Sequence, residues 1–129
     1  MSKSYLGNPN LKGVGVSVDW TPEAVEDYKK CMESPLYFIK KYVQIVNVDR
    51  GLVPFDMWDF QEDMINNFHD ERFVICKMPR QTGKSTTIIS YLLHYVLFNA
   101  EVNVAILANK GAVARELLSR LQLAYEHLP

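Results

Sequence analysis

Apolar residues recur at helical spacing in five segments. The first opens at Thr21-Pro22-Glu23, an oxygen-bearing cap followed by proline and an acid, which predicts a helix to about Met32. Ser34-Pro35 restarts a helix whose apolar face is Leu36, Phe38, Ile39, Tyr42 and Val43. Residues 55–68 carry Phe60, Met64, Ile65 and Phe68 at spacings of three and four, a third helix. Residues 84–98, KSTTIISYLLHYVLF, are apolar on most sides, which predicts a helix buried in a layered fold. Asn109 is the expected cap of a last helix. Its stripe is Val113, Leu117, Leu121, Tyr125 and Leu128, and Arg115, Glu116, Arg120, Gln122 and Glu126 face water.

Strand signals lie between these helices. Residues 44–48 and a second short strand after the turn Asp49-Arg50-Gly51 read as a hairpin. The runs 72–78 (RFVICKM) and 102–108 (VNVAILA) have the length and composition of buried strands, and 79–82 form a loop. Residues 1–19, with Gly7, Pro9, Gly13 and Gly15, read as a loosely ordered arm with a short strand at 14–18. The second half thus runs strand, loop, helix, strand, helix. That order predicts an α/β fold, a parallel sheet with flanking helices, preceded by a mostly helical subregion. The expected division is 1–54 and 55–129.

Composition narrows the function classes. The chain has 129 residues, 48% of them hydrophobic and 22% charged, which is globular rather than disordered. Lys and Arg number 14 against 15 Asp and Glu, a net charge of −1, so bulk charge does not drive binding to a polyanion. Cys31 and Cys76 lie far apart, with neither disulfide-framework nor zinc spacing, which fits a reducing, intracellular setting. His69, His94 and His127 are scattered and read as packing or surface residues. The most apolar stretch, 88–98, is half the ~20 residues of a membrane helix. The N-terminus MSKSYLGNPN lacks the apolar core of a signal peptide, so no membrane association is expected.

The sharpest chemical signal is Met78-Pro79-Arg80-Gln81-Thr82-Gly83-Lys84-Ser85. It matches the second half of the phosphate-binding pattern G-x-x-x-x-G-K-[ST], with Met78 in place of the first glycine. Backbone N–H groups turning into a helix N-terminus cradle phosphate oxygens. Lys84 is expected at the β and γ phosphates, and the Ser85 hydroxyl at Mg²⁺. Arg80 is either a solvated arginine or a charge sensing the γ-phosphate. Phe60-Gln61 lies about twenty residues upstream. A glutamine amide offers one donor and one acceptor face, which matches the adenine edge. Lys29-Lys30 and Lys40-Lys41 are solvated helix faces, and Lys110 and Arg115 are weaker candidates for nucleic-acid contact.

These residues resemble the large terminase subunit of tailed bacteriophages, closest to the T-even-like myoviruses. The resemblance runs from about Tyr5 to Pro129. It is carried by Trp20-Thr21, Tyr28-Lys29-Lys30-Cys31, Phe60-Gln61, Arg80-Gln81-Thr82-Gly83-Lys84-Ser85-Thr86 and Ile106-Leu107-Ala108-Asn109-Lys110-Gly111. It implies a P-loop NTPase of the RecA-like class, binding ATP and Mg²⁺ and driving DNA into a procapsid. Phe60, Gln61 and residues 78–86 (Met78, Pro79, Arg80, Gln81, Thr82, Gly83, Lys84, Ser85 and Thr86) would hold the nucleotide. Lys84 and Arg80 would serve catalysis, and Ser85 the metal. Double-stranded DNA, a portal protein and a small terminase subunit would be partners. The motor would be a homo-oligomeric ring, in the host cytoplasm and transiently on the portal.

Hydrolysis in that family looks to a later strand ending in Asp-Glu. After Lys84 the only acids are Glu101, Glu116 and Glu126, none ending an apolar strand. The expectation is therefore an N-terminal fragment with little activity of its own. A helicase-like remodeller is the alternative, sharing the glutamine and phosphate-loop layout. A non-hydrolysing nucleotide-binding module is a third.

Overall fold

The structure, a computed structural model, describes residues 4–47, 49–79 and 83–129. A short hairpin opens the chain: β1 (Ser4–Tyr5) pairs antiparallel with β2 (Asn8–Lys12). The turn between them places Leu6 at φ 50° and Gly7 at φ 79°. The expected strand at 14–18 is absent.

Helix α1 spans Pro22–Glu33, and the Thr21 hydroxyl accepts the Ala24 N–H at 3.2 Å. Helix α2 spans Pro35–Tyr42. Ser34 serves both. Its N–H donates to the Lys30 carbonyl, ending α1, and its hydroxyl accepts the Tyr37 N–H, starting α2. Each helix has proline in its first turn, where the missing N–H costs nothing. Across the elbow, the Asp27 carboxylate accepts from the Tyr37 and Tyr42 phenols and the Lys41 ammonium. These donors hold the Asp27 carboxyl far below the usual carboxylate range, the Lys41 hydrogen bond contributing most.

The expected hairpin is present: β3 (Gln44–Asn47) pairs antiparallel with β4 (Gly51–Pro54). Helix α3 spans Asp59–Asp70, starting later than the periodicity predicts because 55–58 are extended. Helix α4 spans Lys84–Phe98, as read from the sequence. Helix α5 spans Gly111–Glu126, with Lys110 rather than Asn109 in the capping position.

The parallel sheet of the expected P-loop fold is not formed. The strands among the described residues make two separate antiparallel pairs. Neither 72–78 nor 102–108 is a strand. Among the described residues, neither run pairs with a strand. Several of their apolar side chains stay in water: Phe73 is 82% exposed, Ile75 97% and Leu107 88%. A strand-like sequence without a partner cannot pair its N–H and C=O groups and gains little from its apolar residues.

The core is instead made by helices and the segment after β4. Cys31, Phe38, Ile39, Val43, Phe55, Met57, Ile65, Leu93 and Ala124 form one buried cluster, drawing on residues before and after position 54. Phe38 packs edge-on against Phe98 and tilted against His94, joining α2 to α4. An ion pair between Lys40 and Glu62 bridges α2 and α3. The stripe expected of α5 holds in part: Leu121 and Leu128 pack against the core and Leu117 is half-buried, whereas Val113 and Tyr125 are exposed and Ala124 is the fully inward residue.

Candidate functional site

Helix α4 begins at a glycine in the left-handed region, Gly83 at φ 74°. A residue with a Cβ is strained there, and a glycine is not. The first turn of α4 has no side-chain cap and no acidic residue. The starts of α1 and α2 are capped by hydroxyls, and α1 and α3 carry acids in their first turns; α5, like α4, has neither. The leading N–H groups of any α-helix lack intrahelical partners and form the positive end of its dipole. At α4, the Thr87 N–H donates to the Gly83 carbonyl at 3.0 Å.

Lys84 turns back over the approach to the helix. Its Nζ donates to the Met78 carbonyl at 3.4 Å, and the side chain is half-buried. Ser85 and Thr86 are half-buried in the same turn. The Thr86 carbonyl accepts the Ser90 hydroxyl at 2.8 Å. Met78 is half-buried and Pro79 exposed. Arg80, Gln81 and Thr82 lie outside the described residues.

Gln61, upstream by 22 residues, reaches this turn. Its Nε2 donates to the Gly83 carbonyl at 3.5 Å, and its Oε1 accepts the Trp58 N–H at 2.9 Å. The second bond is half of a capping box at the start of α3, since tryptophan has no oxygen to complete it. Gln61 is 6% exposed. Phe60, half-buried, stacks edge-on against exposed Trp58 with centroids 5.7 Å apart. Residues that the sequence placed in one site, Gln61, Gly83 and Lys84, therefore do sit around the start of α4.

The sequence reading missed Trp58, whose backbone orients the Gln61 amide. The available signal was glutamine at the third helical position, where a capping box places Glu or Gln. It also put no weight on a cleft of about 790 Å³, lined by Trp20, Tyr28, Phe38, Phe98, Tyr125 and Leu128 among others. That cleft takes in the C-terminal end of α4, whereas the uncapped turn is at its N-terminal end, about 20 Å away at 1.5 Å per residue. The cleft is largely aromatic and aliphatic. Its Asp27 carboxylate is already bonded to three donors.

The donor set at α4 suits an anion: a helix N-terminus without a side-chain cap among the described residues, a lysine ammonium and two hydroxyls. It offers a metal much less. Ser85 supplies one hydroxyl, and the described residues contain no group of three His, Cys, Asp or Glu side chains able to hold an ion.

Lys110 and Arg115, the weaker nucleic-acid candidates, are exposed at the start of α5. Among the described residues, no helix is long and apolar enough to cross a membrane. No family model matches the chain.

Proposed function

We propose that this chain binds a nucleoside triphosphate at the start of α4, as the ATP-binding part of a DNA-packaging motor of the terminase large-subunit kind. The observation that supports binding is the Lys84 ammonium folded back onto the Met78 carbonyl beside an uncapped helix N-terminus entered through a left-handed glycine. That arrangement brings a lysine charge and the positive end of a helix dipole to one place, which is what a triphosphate requires. The terminase assignment rests on the sequence motifs around it, Arg80-Gln81-Thr82-Gly83-Lys84-Ser85-Thr86 above all. In this role the chain works with double-stranded DNA, a portal and a small terminase subunit, as a homo-oligomeric ring at the procapsid in the host cytoplasm. Mg²⁺ accompanies ATP, met by the Ser85 hydroxyl.

Titration with a fluorescent ATP analogue tests the binding step. Saturable binding to the wild-type chain, lost in Lys84→Ala, is the expected result. Equal affinity in the two proteins removes the nucleotide assignment. Co-sedimentation with portal-bearing procapsids tests the packaging role, and absence of retention removes it while leaving nucleotide binding intact.

A further inference from the structure

The amide of Gln61 has two intrachain partners on two different helices. Trp58 N–H donates to its oxygen at the start of α3, and its nitrogen meets the Gly83 carbonyl at the start of α4. The approach to Gly83 is close. A Cβ at position 83 would lie 2.5 Å from Gln61 Nε2, so any other residue there would displace the amide besides straining the φ of +74°. The same carbonyl accepts the Thr87 N–H at 3.0 Å and the Thr87 hydroxyl at 2.8 Å. The group that begins the hydrogen-bond ladder of α4 is thus held from outside the helix by one side chain of α3. Reading a base edge takes both ends of an amide. Here both ends are engaged, on a side chain that is 6% exposed.

We propose that Gln61 is a positioning residue for the phosphate-binding turn: it fixes the Gly83 carbonyl, and with it the aim of the α4 N–H groups, rather than selecting the base. The Trp58 N–H sets which end of the amide faces Gly83. This deepens the nucleotide-binding function proposed above and rests on it. The consequence is an effect of Gln61 that does not depend on the base.

Two substitutions separate the bonds. Gln61→Met keeps the length and removes both. Gln61→Glu keeps an oxygen for the Trp58 N–H, a favoured capping arrangement, and removes the donor to Gly83. Amide exchange at Thr87, followed by NMR without ligand, should quicken at least fivefold in both variants. Calorimetric titration with inorganic tripolyphosphate, ATP and GTP should show Gln61→Met weakening all three by a similar factor, threefold or more. Loss confined to ATP would mean that the amide reads adenine, and the proposal fails. Unchanged Thr87 exchange in a folded Gln61→Glu also overturns it. If the wild-type chain binds none of the three ligands, the nucleotide function itself falls, a result distinct from wild-type binding that Gln61→Met leaves unaltered.

Discussion

The ring of His94 lies 2.8 Å through Nε2 from the Cys31 carbonyl, joining the middle of α4 to the end of α1 inside the core. Phe38 and Phe98 pack against the same ring. Burial pushes the His94 pKa below its ordinary value, against an opposing pull from the carbonyl, with a smaller lowering from His69. A histidine kept neutral by the fold contributes stability that is complete above the unfolded-state pKa of about 6.5. It is lost as pH falls below that value towards the lower folded pKa. Thermal midpoints should therefore drop as pH falls below about 6.5 in the wild-type chain. His94→Gln should flatten that slope, because an amide does not titrate. An unchanged slope in the variant would assign the acid sensitivity to other groups.

Lys84→Ala should weaken ATP binding by about tenfold or more, since a hydrogen bond to a charged group is worth ~1.5–3 kcal/mol. The thermal midpoint should barely change, because among the described residues the hydrogen bond of Lys84 Nζ is the long 3.4 Å contact to the Met78 carbonyl. Fluorescence titration and thermal melts on the same samples separate loss of binding from loss of fold.

Ile65 and Ile75 make a matched pair for testing the fold. Ile65 is fully buried and Ile75 is 97% exposed. Ile65→Ala should cost ~2–5 kcal/mol in chemical unfolding. Ile75→Ala should stay within about 0.5 kcal/mol, as surface changes do. Similar large losses would mean that 72–78 is packed in a sheet after all.

Asp27→Asn should lower the thermal midpoint more than Lys30→Ala. Asp27 joins α1 to two tyrosines and a lysine of α2, whereas Lys30 makes an exposed pair with Glu26 within α1. The Asp27 pKa is depressed in the fold. Its contribution is present above the unfolded value of about 3.9 and fades as pH falls below it. The gap between wild type and Asp27→Asn should therefore narrow below about pH 4. A gap independent of pH would show that the charge is not what matters.

The helices were legible because their signals are local. Thr21-Pro22, Ser34-Pro35 and the period of 84–98 lie within a few residues of the elements they define. The hairpin of β3 and β4 was legible for the same reason, its turn being three residues of known type. The sheet was not. Strand formation at 72–78 and 102–108 depends on which chain lies alongside, and propensity carries no information about that. Gln61 shows the same division at the site. Its place beside Gly83 followed from the motif, but its bond to Trp58 N–H depends on where α3 begins. That boundary shifted from residue 55 to Asp59, because Phe55 and Met57 enter the core in an extended segment.

The two-helix elbow at Ser34 has a kinetic consequence. Its links are short in sequence: Ser34 to Tyr37, and Asp27 to Tyr37, Lys41 and Tyr42, spans of 3 to 15 residues. Closing loops of about ten residues takes ~10–100 ns, far faster than assembling distant segments. The Gln61–Gly83 and His94–Cys31 links span 22 and 63 residues and carry a larger closure entropy. The α1–α2 pair is therefore placed to gain structure ahead of the rest. The turn at Gly83, held through Gln61, can acquire its geometry only once α3 and α4 have met.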